Sequence, residues 1–235
     1  MSNIGFLSLS TDDRKLALDD AALRLQMGAV ILEKDFWVSW LLRLLFAEPV
    51  LAPHLVFKGG TSLSKVFGVI DRFSEDIDLC LQPEFVGADT ADFDALASRV
   101  KRDAAVLEMQ RTFWEKATIL HSEFHRPAQS PTPDRYARHY FDMVKLLAHP
   151  RASEFLADRA QCARVVDWKS RVFARAWARY DLAKPGSFRL EPPVARQAEL
   201  AQDYATMRTM FMTEPPSFFE LMQSLKNAEH GINHE

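Results

Sequence analysis

Residues 55–81 read LVFKGGTSLSKVFGVIDRFSEDIDLCL, and the fold turns on this stretch. Leu55-Val56-Phe57 is a short apolar run that stops at Gly59-Gly60, after which Thr61 to Val69 can wind into a helix. Asp71 to Glu75 is a polar loop. Asp76 to Leu81 then alternates polar and apolar residues until Pro83, which predicts a second strand able to pair with the first. A strand, a glycine turn, a helix and a returning strand define an α/β front half around a small sheet.

On either side the period is helical. Upstream, the apolar residues from Arg14 to Phe46 recur at helical spacing between an N-cap signal at Thr11-Asp12-Asp13 and a stop at Glu48-Pro49. They predict two or more scaffold helices with little exposed surface. Downstream, Phe113, Ala117, Leu120 and Phe124 form one stripe, Tyr140, Val144 and Leu147 a second, and Val165, Val172, Ala176 and Tyr180 a third. Proline pairs and turns at 127–133, 184–186, 192–193 and 215–216 separate these helices. The change of period places a front lobe over residues 1–110 and a helical lobe over 111–235.

The 235 residues suffice for one large domain or two small ones, and 48% hydrophobic with 26% charged residues is a globular composition. Cys80 and Cys162 have no nearby cysteine partner, so neither a disulfide framework nor a cysteine zinc site can be built, and a reducing cytoplasm fits. The start MSNIGFLSLSTDDRK lacks a signal-peptide pattern, and the densest apolar run, Phe36 to Phe46, is interrupted by Ser39 and Arg43. No membrane association is expected. Residues 1–100 are acidic overall and residues 101–189 basic, a polarity that suits a polyanionic partner.

In an extended strand, residues two apart share a face with Cα atoms roughly 6.5–7 Å apart, so Asp76 and Asp78 project together. Two carboxylates on one face repel, and a hard cation relieves the repulsion; Mg²⁺ takes such oxygens together with substrate phosphates. Gly59-Gly60-Thr61-Ser62 offers small residues, amides and hydroxyls for phosphate oxygens, with Lys65 and Arg72 adding positive charge. Taken singly, Asp-x-Asp is a solvated pair and Gly-Gly a plain turn. Together they are the minimal equipment for nucleotidyl transfer, although glycosyl and phosphoryl transferases use the same Asp-x-Asp logic.

Other candidates follow from helical spacing. Lys116 lies at the edge of the Phe113 stripe, where its stem can be half buried and its ammonium can face a cleft. Arg138, Asp142, Lys145 and His149 form one polar line, either ion-paired at the surface or facing a cleft. Arg171, Arg175 and Arg179 share a helix face around Trp168, which suits an RNA backbone and a stacked base. His121 and His125 have zinc-pair spacing without a third ligand.

Glu33-Lys34-Asp35, the stretch 57–79, Arg-Thr-Phe-Trp-Glu-Lys at 111–116, Arg-His-Tyr-Phe-Asp at 138–142, and the tail from Trp168-Lys169-Ser170 through Glu214-Pro215-Pro216 occur in one order. In this the chain resembles the AbiEii/AbiGii toxins, nucleotidyltransferase-like proteins of type IV toxin–antitoxin and abortive-infection systems. The resemblance implies a DNA polymerase β-like nucleotidyltransferase lobe joined to a helical lobe. It also implies a Mg²⁺-dependent enzyme that transfers a nucleotide from an NTP to an acceptor, tRNA in some relatives, and that answers to a cognate antitoxin with a helix-turn-helix domain.

By position, Gly60, Thr61 and Ser62 would hold the triphosphate, Asp76 and Asp78 the metal, Lys116 would contact the phosphates, and Asp142 would be a further catalytic or base-positioning carboxylate. Only 31 residues, Cys80 to Gln110, separate the Asp-x-Asp strand from the 111–116 motif. Family members carry a longer connection with a third acidic strand. Here either Glu108 substitutes for that acid or it is missing, and a catalytically degenerate relative that binds nucleotide or RNA is the alternative.

Overall fold

The computed structural model describes residues 5–82, 85 and 107–234. The chain opens with α1 (Gly5–Ser8), α2 (Thr11–Leu25) and α3 (Ala29–Ala47). Ser10 begins α2 by accepting the Asp13 amide at 3.1 Å on its side-chain oxygen. These helices are not the covered scaffold that the apolar spacing predicts. Among described residues α2 buries nothing and α3 only Val38, while Leu16, Leu23 and Val30 stand well exposed.

Strand β1 (Leu55–Lys58) runs into α4 (Gly59–Lys65), and β2 (Asp78–Leu81) returns antiparallel, pairing Leu55 with Leu81 and Lys58 with Asp78. The helix starts two residues earlier than its sequence predicts, because Gly59 turns the chain at φ +78° directly after Lys58. It ends at Lys65, and Gly68 at φ +61° lets the chain leave while the Val69 amide donates to the Leu63 carbonyl at 2.9 Å. The second strand is shorter than predicted for the same reason: past Lys58, β1 offers residues 76–77 no ladder. The Asp76 carbonyl takes the Thr61 hydroxyl instead.

The remaining chain is helical: α5 (Met109–Phe124), α6 (Arg138–Leu147), α7 (Ala152–Ala157), α8 (Arg159–Val172), α9 (Val194–Thr206) and α10 (Phe218–His234). Helix α5 is central, packing on α6 and α8, and α6 packs on α10. Phe113, Trp114, Ala117 and Leu120 from α5 join Tyr140, Phe141, Phe155, Phe188 and Leu221 in one core. Trp114 is fully enclosed, and its indole N–H donates to the Phe155 carbonyl at 3.0 Å, so burying the large ring leaves no polar atom unsatisfied.

Two stripes appear as the sequence predicts, whereas the third does not. Val165 is in the core, but Val172 is 48% exposed and α8 ends there. Arg175 is extended and Arg179 left-handed at φ +45°, so Arg171, Arg175 and Arg179 do not share a helix face.

Two devices fix α6, which carries much of the site. The chain entering it is held from α9, where Asp203 accepts the Arg135 amide at 2.6 Å and the Ala137 amide at 2.7 Å. Segment 71–73 is tied to the chain before α10 by Phe73 N–H to the Met210 carbonyl at 2.8 Å and Met212 N–H to the Asp71 carbonyl at 2.9 Å. Among the described residues, no helix is long and apolar enough to cross a membrane.

Candidate active site

A cleft of about 550 Å³ opens between the end of the sheet, α5, the start of α6 and the chain from Trp168 to Tyr180. Lys58, Gly59, Asp76 and Asp78 form one wall and Lys116, Glu123, Arg138 and His139 another, while Trp168, Lys169, Phe173, Arg175 and Trp177 close the far side. The sheet places the aspartates. Lys58 pairs with Asp78 at the end of the ladder, and a Cβ on Gly59 would sit 1.9 Å from the Asp78 carboxylate. Gly59 is therefore required twice, for its positive φ and for the space its missing side chain leaves.

Behind Lys116 lies a buried polar centre. Asp142 has no exposed surface and accepts two hydrogen bonds from Arg72, both 2.7 Å, and a third from the Lys116 ammonium at 2.8 Å. Burial pushes its proton affinity up, yet the Arg72 and Lys116 charges outweigh this and hold it well below the usual carboxylate range. The Lys116 Nζ also lies 3.2 Å from His139 Nδ1. An ammonium only donates, so Nδ1 is the bare nitrogen and Nε2 carries the hydrogen. Burial first, and then the Lys116 charge, hold His139 well below its ordinary proton affinity, which keeps it a neutral acceptor.

Gly60 packs against this centre, since a Cβ there would meet Arg72 Nη2 at 2.9 Å and Ser74 Oγ at 3.1 Å. Thr61 and Ser62 are buried, their hydroxyls donating to the Asp76 and Gly59 carbonyls. They close the turn and do not line the cleft. Lys65 is paired with Asp35 at 2.8 Å, and Arg72 is sealed against Asp142. Of the predicted sites, the structure brings Asp76, Asp78, Lys116 and Arg175 onto the cleft, sets Gly60, Arg72 and Asp142 directly behind it, and leaves Lys65, Arg171 and Arg179 off its walls.

The polar line on α6 resolves into a clamp. Arg138 binds Asp76 at 3.0 Å, Asp142 binds Arg72, and Lys145 binds Asp71 at 3.1 Å, so successive turns of one helix grip both ends of the 71–76 loop. His149 lies beyond the helix and stacks on Phe155 with ring centroids 5.7 Å apart. Arg171 pairs with Asp167 at 2.8 Å and Arg179 with Asp181 at 2.9 Å; Arg175 instead lies 5.5 Å from the Trp177 ring centroid. Trp168 sits beneath Lys58 and Arg111, at 5.7 and 5.9 Å.

Asp76 and Asp78 are both exposed to the cleft, and among the described residues no group of three His, Cys, Asp or Glu forms a cation cage. Glu108 flanks α5 and does not line the cleft; the rest of the connection from 86 to 106 lies outside the described residues. His121 and His125 are ring neighbours at 4.9 Å, but His121 is spent on the backbone, with Nε2 on the Arg179 carbonyl and Nδ1 accepting the Arg189 amide, both at 3.0 Å. Sequence spacing does not single out His139 or Lys169. Their only signal is membership of the 138–142 and 168–173 motifs, since both act through contacts across the fold.

Such a protein, mostly helical, with a two-stranded sheet that presents paired aspartates to a lysine-rich cleft, has the parts of a phosphate-handling enzyme. The chain belongs to the AbiEii family: the model described as nucleotidyl transferase AbiEii toxin, type IV TA system, matches residues 40–110 and 104–224, most of its length. No match was found among curated proteins or among solved structures.

Proposed function

We propose that this chain is a Mg²⁺-dependent nucleotidyltransferase that moves a nucleotide from an NTP to an RNA acceptor, tRNA foremost, and arrests growth unless a helix-turn-helix antitoxin restrains it in the cytoplasm. The reading takes residues 1–110 as a polymerase β-like lobe and 111–235 as a helical one. The observation that carries it is that the Asp76–Asp78 pair and Lys116, far from it in the sequence, open on one cleft.

Mg²⁺ is commonly held by one or two carboxylates together with substrate phosphates and water, and Asp76 with Asp78 fits that donor set. Once bound, the cation supplies charge neutralisation along the polyphosphate. The chain's own groups supply the positioning. Lys116, fixed by Asp142 and His139, directs its remaining N–H at phosphate oxygens without reorganising. Asp142 is enclosed and acts through Lys116 and Arg72, which makes it a positioning residue. Arg175 and the aromatic wall of Trp168 and Phe173 offer a phosphate contact and an apolar face to the acceptor.

A second reading, binding of nucleotide or RNA without transfer, is favoured by the Arg138–Asp76 ion pair at 3.0 Å, which engages a carboxylate that transfer requires. Incubation with each labelled NTP, Mg²⁺ and total RNA decides between them. Label in RNA, abolished by Asp76→Asn or Asp78→Asn in a folded protein, supports transfer. Saturable NTP binding with unlabelled RNA supports the second reading, and neither result would sink both.

A further inference from the structure

Lys169 lies in the 168–173 stretch, but neither that stretch nor the polar stripes assign it a role. It projects from the last turns of α8 into the cleft, is 6% exposed, and donates from Nζ to the Glu115 carbonyl at 2.7 Å. Among the described residues it has no ion pair. Lys58 is in the same position, its ammonium set over the Trp168 ring and its backbone paired with Asp78. Lys116 shares its one carboxylate, Asp142, with Arg72. Three lysines thus enter the cleft from β1, α5 and α8, and among the described residues none has a carboxylate to itself.

We propose that Lys58, Lys116 and Lys169 form a cradle for the polyphosphate chain of the donor, with Lys58 and Lys169 as binding residues additional to Lys116. The inference rests on the proposed use of a nucleoside triphosphate, but its ligand class, a polyphosphate, follows from charge and geometry alone. Ammonium groups hydrogen-bond phosphate oxygens as point charges, and several of them are needed to match the charge of two or three linked phosphates.

Proton exchange gives the cradle a signature. Burial, and after it the charges of Lys116 and Lys58 against the opposing pull of Glu115, lowers the Lys169 ammonium from its ordinary value to about 7. Glu115 and Lys116 face it from α5 and Lys58 from β1, while Asp76, Asp78, Glu123, Arg126, Arg138, His139 and Arg175 line the rest of the cleft. At pH 8 Lys169 is largely the free amine. A bound polyanion favours the ammonium, so binding draws a proton from the buffer onto Nζ. At pH 6 Lys169 is already charged and uptake disappears.

Inorganic tripolyphosphate without metal or nucleotide is the probe, titrated calorimetrically into the full chain at pH 8 in two buffers of different ionisation enthalpy. Uptake approaching one proton is expected, and it is lost in Lys169→Met together with about tenfold or more of the affinity, the weight of one charged hydrogen bond. Lys169→Arg, charged at every pH used, is expected to bind without uptake and to control for folding. Lys58→Met is expected to weaken binding with the α8 contact intact. A single-stranded oligonucleotide serves as the monophosphodiester comparison.

Uptake that survives Lys169→Met, equal losses for oligonucleotide and tripolyphosphate, or unchanged affinity in both methionine variants would overturn the cradle. Tripolyphosphate binding with these properties in a protein that transfers no nucleotide would leave the cradle standing and refute the transfer reading.

Discussion

Asp142 carries its charge where water cannot reach it, and three hydrogen bonds from Arg72 and Lys116 are what make that tolerable. Removing one partner of such a centre leaves the others buried and uncompensated. Asp142→Leu is therefore expected to lose about 3–5 kcal/mol in urea unfolding. Combining it with Arg72→Met should recover part of that loss, because the second change removes the stranded guanidinium. A single variant within about 1 kcal/mol of the parent, or a double variant worse than the sum, would remove the ion centre from the account of stability. At this scale the sequence was partly readable. Helical period places Lys116 beside the buried stripe, since spacing along one helix fixes which neighbours share a face. The Arg72–Asp142 pair spans 70 positions, and periodicity carries no information about partners across the fold.

At the start of α4 a single dipeptide does two jobs. Gly59 takes φ +78° and makes room for Asp78, while Gly60 makes room for the Arg72–Asp142 pair. Gly68 also has positive φ, at +61°, but nothing lies within 4 Å of the place its Cβ would occupy. Gly68→Ala is thus expected to cost only the backbone strain, about 1 kcal/mol. Gly59→Ala should cost clearly more and also displace the Asp78 carboxylate. Thermal unfolding of the two variants side by side checks the difference, and equal losses would mean that Asp78 yields freely.

The same stretch shows why elements were legible and their ends were not. Strand, turn, helix and strand follow from composition and alternation, but the turn geometry that trims β2 to 78–81 depends on Gly59 ending the ladder at Lys58. The arginine face failed for a related reason. Helical spacing on paper runs past Phe173, whereas burial of Ala178 and the bond from His121 Nε2–H to the Arg179 carbonyl draw the chain off the helical path.

Across the molecule, His121 joins three distant parts: α5, on which it sits, the turn at Arg179, and the segment at Arg189 that Glu229 and Asn233 of α10 hold in place. The bond from the Arg189 amide requires a bare Nδ1, so protonating the ring breaks a tie between helices. Burial pushes His121 from 6.5 down to about 4, and burial also lowers His125 and His139.

Between pH 6.5 and 4 the unfolded chain therefore binds protons that the native chain refuses. The stability these histidines contribute is full above pH 6.5 and is lost as the pH falls toward 4, by about 2–3 kcal/mol for His121 alone. Asp142 is held low by its cationic partners, so its contribution is lost only below the ordinary carboxylate range. Urea midpoints measured from pH 7.5 to 4.5 are expected to fall through this window. His121→Gln should be less stable at pH 7.5 but show a shallower fall. An equally steep acid limb in that variant would assign the pH dependence to groups other than the histidine that ties α5 to the C-terminal segments.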